Sequence, residues 1–84
     1  MQVTFMDQAW EDYLYWQAHD GKLLKKINQL LKEIGREPFS GMGSPEPLKH
    51  NLSGYWSRRI NLEHRLVYRV VHGEIRILQC RYHY

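Results

Sequence analysis

The stretch Tyr55–Leu78, YWSRRINLEHRLVYRVVHGEIRIL, decides the fold. Trp56 and Ile60 alternate with Tyr55, Ser57 and Arg59, and Leu66, Tyr68 and Val70 alternate with Arg65, Val67 and Arg69, as in strands with one buried face. His72-Gly73 turns the chain into a third strand, Glu74–Leu78, so the segment predicts an antiparallel meander. Opposed residues must share a face, which restricts the register. A two-residue loop at Leu62-Glu63 sets Ile60 against Arg65 and mixes the faces. A three-residue loop, Leu62–His64, pairs Ile60 with Leu66, Arg58 with Tyr68 and Trp56 with Val70, gathering the apolar side chains and sending Arg59, Arg65 and Arg69 to the other face. In the third strand Ile75 and Ile77 point inward, and then the apolar residues change parity to Leu78, Cys80 and Tyr82. A β-bulge near Leu78-Gln79 accounts for the change. With it His83 shares the face of Arg59 and Arg65; an unbroken strand would turn His83 toward the core.

Upstream, Val3-Thr4-Phe5 is β-prone, and Asp7 is placed to cap a helix whose first turn carries Glu11 and Asp12 near its positive end. His19-Asp20-Gly21 breaks that helix, and Asp20 caps a second in which Leu23, Ile27, Leu30, Leu31 and Ile34 follow helical spacing. Lys22, Lys25, Lys26, Lys32 and Glu33 occupy the wet side, and Gly35 is read as the stop. Gly35–Pro47 holds all three prolines and is read as a long loop of the kind that often carries function. The expected fold is α+β: an N-terminal strand and a helical hairpin packed on one face of a twisted antiparallel sheet, leaving the opposite face open and studded with arginine.

With 84 residues, the chain is long enough for one hydrophobic core, so residues 1–84 are read as a single domain. Cys80 is the only cysteine, which excludes an internal disulfide framework, and no CxxC or His-x-x-x-His pair suggests a structural metal. No basic segment followed by an apolar run opens the chain and no stretch approaches a membrane span, so a soluble cytoplasmic protein is expected. Twelve Lys and Arg against nine Asp and Glu give a net charge of +3, a bias that permits nucleic-acid binding.

Several chemically capable groups collect on or beside the arginine face: Glu46 and Lys49 from the loop exit, His50 nearby, Arg59 and Arg65 from strands, and His83 and Tyr84 from the tail. A carboxylate, an imidazole and fixed cations are what RNA cleavage through the 2′-hydroxyl requires: a base for the 2′-OH proton, an acid for the departing 5′-oxygen, and guanidinium donors for the charge on phosphorus. Tyr55, Tyr82 and Tyr84 offer rings for base stacking. The same residues also fit plainer readings: a solvated, edge-protecting arginine face, a passenger His near a chain end, and a polar loop Glu between two prolines.

The run Pro45–Ile60 (PEPLKHNLSGYWSRRI), then Glu63–Tyr68 (EHRLVY), the terminal Cys80–Tyr84 (CRYHY) and the aromatic run Trp10–Trp16 (WEDYLYW) closely resemble the YoeB toxins of the RelE superfamily. The resemblance extends over nearly the whole chain, with the first nine residues and Gly35–Ser44 the less diagnostic parts. It implies a RelE-like fold and a bacterial type II toxin that binds the 70S ribosome and cuts mRNA in the A site. It also implies a YefM-like antitoxin and a homodimer. Carried over by position, it makes Glu46 the general base, His83 the general acid and Arg65 the transition-state clamp, with Lys49, Arg59 and Tyr84 contacting substrate. No metal or organic cofactor is implied. Clustered cations weaken a carboxylate base among them, so catalysis is expected to depend on alignment supplied by the ribosome. The alternatives are a non-catalytic ParE-like toxin directed at gyrase, which has no need of an acid–base pair, and a plain RNA-binding module, which would grip phosphate without cutting it.

Overall fold

In the computed structural model, which describes Met1–Tyr84, strand β1 (Gln2–Phe5) leads into helices α1 (Asp7–His19) and α2 (Gly21–Arg36). Strands β2 (Glu46–Pro47), β3 (Trp56–Arg59), β4 (Arg65–Val71) and β5 (Glu74–Gln79) follow, with a 3₁₀ turn at His50–Leu52 before β3. Helix α2 forms as its periodicity predicts, burying Leu23, Ile27, Leu30 and Ile34, and the Asp20 side chain accepts the Leu23 N–H at 3.1 Å. Two expected boundaries move. Asp7 is the first helical residue of α1 and makes no side-chain cap, and α2 runs through Gly35 to Arg36. Nothing crowds the position where a Gly35 side chain would sit, so this glycine does not have to stop the helix.

The sheet order is β1-β5-β4-β3-β2. The last four strands are antiparallel, while β1 joins in parallel with Val3 opposite Ile75 and Phe5 opposite Ile77. The short β2, with Glu46 opposite Ser57, lies within the stretch read as loop, and a proline is tolerated there because β2 is an edge strand.

The expected β3–β4 register is corrected by two residues. Trp56 faces Tyr68 and Arg58 faces Leu66, so the three-residue loop is Asn61–Glu63. The reason is Asn61, whose Oδ1 accepts the N–H groups of Glu63 (2.9 Å) and His64 (2.8 Å) and closes an Asx turn one residue earlier than expected. A two-residue shift preserves parity, so the division into faces stands.

The bulge is present: Tyr68 faces Ile77 and Val67 faces Gln79, leaving Leu78 as the extra residue. At the other end of β5, His72 and Gly73 take φ of 50° and 74°, as a two-residue hairpin loop requires.

One cluster forms the core: Ala9 and Trp16 of α1, the apolar stripe of α2, and Ile60, Leu66, Tyr68, Ile75, Ile77 and Cys80 from the sheet side. The opposite face is less open than expected, because Ser57 and Val67, which share the parity of Arg59 and Arg65, are also buried. No helix is long and apolar enough to cross a membrane.

Burial pushes the Cys80 thiol up to about 12 from an ordinary value of 9.0, with Asp12 adding to the effect. The folded state therefore holds this proton more tightly than the unfolded state does, so stability is intact below pH 9 and falls as pH rises toward 12. The slope from this one group approaches about 1.4 kcal/mol per pH unit. Urea midpoints measured from pH 8 to 11 should fall, and Cys80→Ala should flatten the decline; identical slopes in the two proteins would contradict the assignment.

Candidate active site

The arginine face is built in rows. Glu46, Ser57, Val67 and Gln79 stand opposite one another across β2, β3, β4 and β5, and Arg59 and Arg65 form the next row on the same face. Strands lie about 4.8 Å apart, so Glu46 is roughly 10 Å from the β4 backbone. Arg59 and Glu46 are exposed and take part in no ion pair. Arg65 is half-buried, and its Nη1 donates to the carbonyls of Asn61 (2.8 Å), His64 (3.2 Å) and Leu62 (3.4 Å). Those bonds hold the guanidinium against the β3–β4 turn and leave its other nitrogens free of protein partners.

The segment after β2 is held by an internal bond from the Leu48 N–H to the Tyr55 carbonyl at 2.9 Å. Leu48 is buried, and His50 turns with a φ of 58°, which leaves Lys49 exposed. Glu46, Lys49 and Tyr84 line one open depression. His83 lines a different one, with Gln79 from the arginine face and Gln8 and Asp12 from α1. The tail thus stays exposed and does not turn into the core, but His83 sits at the seam between the arginine face and α1 and not squarely beside Arg59. The link between the two depressions is Tyr84, whose ring lies 4.8 Å from that of His83.

The tail reaches this seam because its backbone is tethered up to residue 82. Asp12 Oδ2 accepts the Cys80 N–H at 3.0 Å and the Trp16 indole donates to the Cys80 carbonyl at 2.8 Å. The Arg81 guanidinium lies 3.5 Å from the Tyr15 ring centroid and 4.7 Å from that of Tyr82. Tyr82 donates its N–H to His64 Nδ1 at 2.7 Å and accepts from the Arg65 N–H at 3.1 Å. Beyond it, His83 Nδ1 lies 3.4 Å from the Tyr84 carbonyl, and neither side chain bonds another part of the chain.

With the site in place, the kinship of the chain follows from comparison. The model of the family described as YoeB-like toxin of bacterial type II toxin-antitoxin system matches residues 5–84. The chain belongs to that family. A YoeB toxin of Synechocystis is 58% identical over 84 residues, which is all of this chain and 98% of the relative. Among solved structures, a heterotetrameric YoeB–YefM toxin–antitoxin complex from Staphylococcus aureus contains a chain 56% identical with a TM-score of 0.93. A YoeB dimer from the same organism has a TM-score of 0.94 at 56% identity. Both alignments cover 100% of this chain and 98% of the other.

Of the six residues singled out from sequence, this YoeB-family structure brings Glu46, Lys49 and Tyr84 into one depression, sets Arg59 and Arg65 in an adjoining row, and keeps His83 one residue away. Sequence reasoning missed the residues that hold these six in place. Arg58 is fully buried; alternation turns it inward, but no local pattern says that loop carbonyls bind its guanidinium there. Asp12 was read as a helix-end charge and is instead a buried acceptor for the tail. His64 and Arg81 act through contacts 18 and 66 residues distant in sequence, and no local pattern encodes those. The three prolines and three glycines of Gly35–Pro47 give no sign that the Ser40 and Met42 carbonyls are bound by Arg58. No three His, Cys, Asp or Glu side chains gather as a metal-holding group.

Proposed function

We propose that the chain, acting as one domain over residues 1–84, is a ribosome-dependent endoribonuclease that cuts mRNA in the A site of the 70S ribosome and so arrests translation in the cytoplasm. The observation that carries this reading is the single sheet face shared by Glu46, Arg59 and Arg65, with the His83-Tyr84 tail delivered beside it through Tyr82 and Arg65.

In the proposed reaction Glu46 takes the proton from the 2′-hydroxyl, the resulting oxygen attacks the adjacent phosphorus, and His83 gives a proton to the departing 5′-oxygen. The products are a 2′,3′-cyclic phosphate and a 5′-hydroxyl. The free nitrogens of Arg65 stabilise charge on the phosphorane-like transition state, Lys49 and Arg59 hold flanking phosphates, and Tyr84 stacks on a base. Proton transfers and charge stabilisation by side chains complete the chemistry, so no metal or organic cofactor enters it.

Base and acid face separate depressions in the free protein, and the His83 ring has the adjacent Tyr84 main-chain oxygen as its one close polar contact. Bound RNA would span the two depressions, with the ribosome fixing the 2′-oxygen, phosphorus and leaving oxygen in line. Free RNA lacks that alignment and should be cut poorly. The partners follow from the relatives: a YefM-like antitoxin that holds the toxin inactive, and a second copy of the toxin in a homodimer.

The test is primer extension on ribosome-bound mRNA with the purified protein. Stops at the A-site codon are expected, with at least about 100-fold less cutting of the same mRNA without ribosomes. Intact mRNA under both conditions would overturn the nuclease reading, and strong salt-sensitive retention of uncut RNA would mark a binding module instead.

A further inference from the structure

We infer that His64 is a positioning residue for the C-terminal tail, aiming His83 and Tyr84 through the backbone of Tyr82; the inference rests on reading those two residues as substrate-facing. His64 is 6% exposed and immediately precedes β4, far in sequence from the tail. Its Nδ1 accepts the Tyr82 N–H at 2.7 Å, and its Nε2 lies 3.4 Å from a Glu63 carboxylate oxygen. That pairing assigns the ring hydrogen to Nε2 and leaves the Nδ1 lone pair for the tail. The ring packs edge-on against Trp16 at 4.7 Å and against Tyr82 at 5.6 Å, so its plane is fixed.

The tail needs such a hold at this point. Tyr82 has a φ of 64°, a left-handed conformation that is unfavourable for a non-glycine residue and that an untethered chain end would relax. His64 secures its amide and the neighbouring Arg65 N–H secures its carbonyl, so both backbone polar groups of Tyr82 are fixed by consecutive residues at the entry to β4. Everything beyond Tyr82 is exposed, and the direction in which His83 leaves the turn is therefore set there. A displacement of about 1 Å at a reacting group is enough to cost about 100-fold in rate.

Three variants separate the acceptor from the ring. His64→Phe keeps a planar ring against Trp16 and removes the acceptor; His64→Asn keeps an acceptor near the Nδ1 position without the ring; His64→Gln places its acceptor nearer the Nε2 position. For each, amide exchange at Tyr82, ribosome affinity and the single-turnover cleavage rate at saturating ribosomes are measured at a temperature where the variant is folded. His64→Phe should exchange the Tyr82 amide at least about 10-fold faster and cut about 10- to 100-fold more slowly, with ribosome affinity changed less than about 2-fold. His64→Asn should recover most of both losses, and His64→Gln should not. If His64→Phe fails to fold, the Asn and Gln pair carries the comparison alone. A His83→Gln control run in parallel distinguishes the two levels of failure. Wild-type cleavage by His83→Gln overturns the catalytic reading and this inference with it. An inactive His83→Gln beside a fully active His64→Phe, or equal losses in Asn and Gln, overturns the positioning role alone.

Discussion

Replacing His83 by Gln is expected to lower single-turnover mRNA cleavage on programmed ribosomes by about 10²- to 10⁴-fold, the range supplied by a positioned general acid. Glutamine keeps a hydrogen-bonding group of similar reach and removes the proton that the leaving 5′-oxygen must receive. The fold should not register the change, because His83 is exposed and its one close polar contact is to the adjacent Tyr84. A shift in stability within about 0.5 kcal/mol is expected, and binding to the antitoxin should persist. Glu46→Ala should act similarly: Glu46 lies exposed on a two-residue edge strand, pairs with Ser57 through its backbone, and makes no ion pair that its loss would break. Thermal melts and cleavage assays on the same preparations separate the two effects. Activity retained by either variant, or a melting temperature that collapses together with activity, would show that the role assigned to that residue is wrong.

Arg58→Ala should do the reverse, destabilising the fold by about 3–5 kcal/mol. Arg58 is fully buried on the helix side of the sheet, and no carboxylate pairs with it. Its Nε donates to the Tyr68 hydroxyl at 3.1 Å, its Nη1 to the Met42 carbonyl at 2.8 Å, and its Nη2 to the carbonyls of Glu37 and Ser40. Tyr68 in turn donates to the Pro38 carbonyl at 2.6 Å, and burial holds its hydroxyl proton more tightly than usual. Removing Arg58 leaves three loop carbonyls without donors and opens a void beside Leu30, where the Gly43 backbone already approaches so closely that an added Cβ would stand 3.0 Å from both side chains. Against a total of about 5–10 kcal/mol for a domain of this size, that loss would leave much of the protein unfolded near 37 °C. Arg58→Lys should lose less than Ala but still more than 1 kcal/mol, since one ammonium cannot reproduce the planar fork. Urea unfolding at 15 °C provides the measurement, and an Arg58→Ala midpoint within the equivalent of 1 kcal/mol of wild type would contradict this account.

The two residues Arg58 and Arg59 show how far the sequence could be read. Alternation assigned them to opposite faces correctly, but it could not say that the inward one binds the Glu37–Met42 segment and so delivers the chain to Glu46. The register error at Trp56 has a similar origin. Parity was fixed by the apolar pattern, whereas the choice among registers of equal parity lay with the Asn61 side chain closing the turn. The bulge at Leu78 was legible because it shifts the apolar parity within one strand, and β1 was legible as a strand but not as a parallel partner of β5.

By itself the sequence determined two helices, a meander, a bulge and the six polar residues that a resemblance could place in roles, since hydrophobic periodicity and short motifs are local properties of the chain. Tertiary structure decided where those residues stand. Glu46 and His83 face separate depressions joined through Tyr84, and the tail is directed by Asp12, Trp16, His64 and Arg65, contacts made across 17 to 68 residues of sequence. The physical reason is that a terminal segment with three exposed residues has too little apolar surface to fix its own direction. Hydrogen bonds from the folded body, strong only where water is excluded, fix it instead.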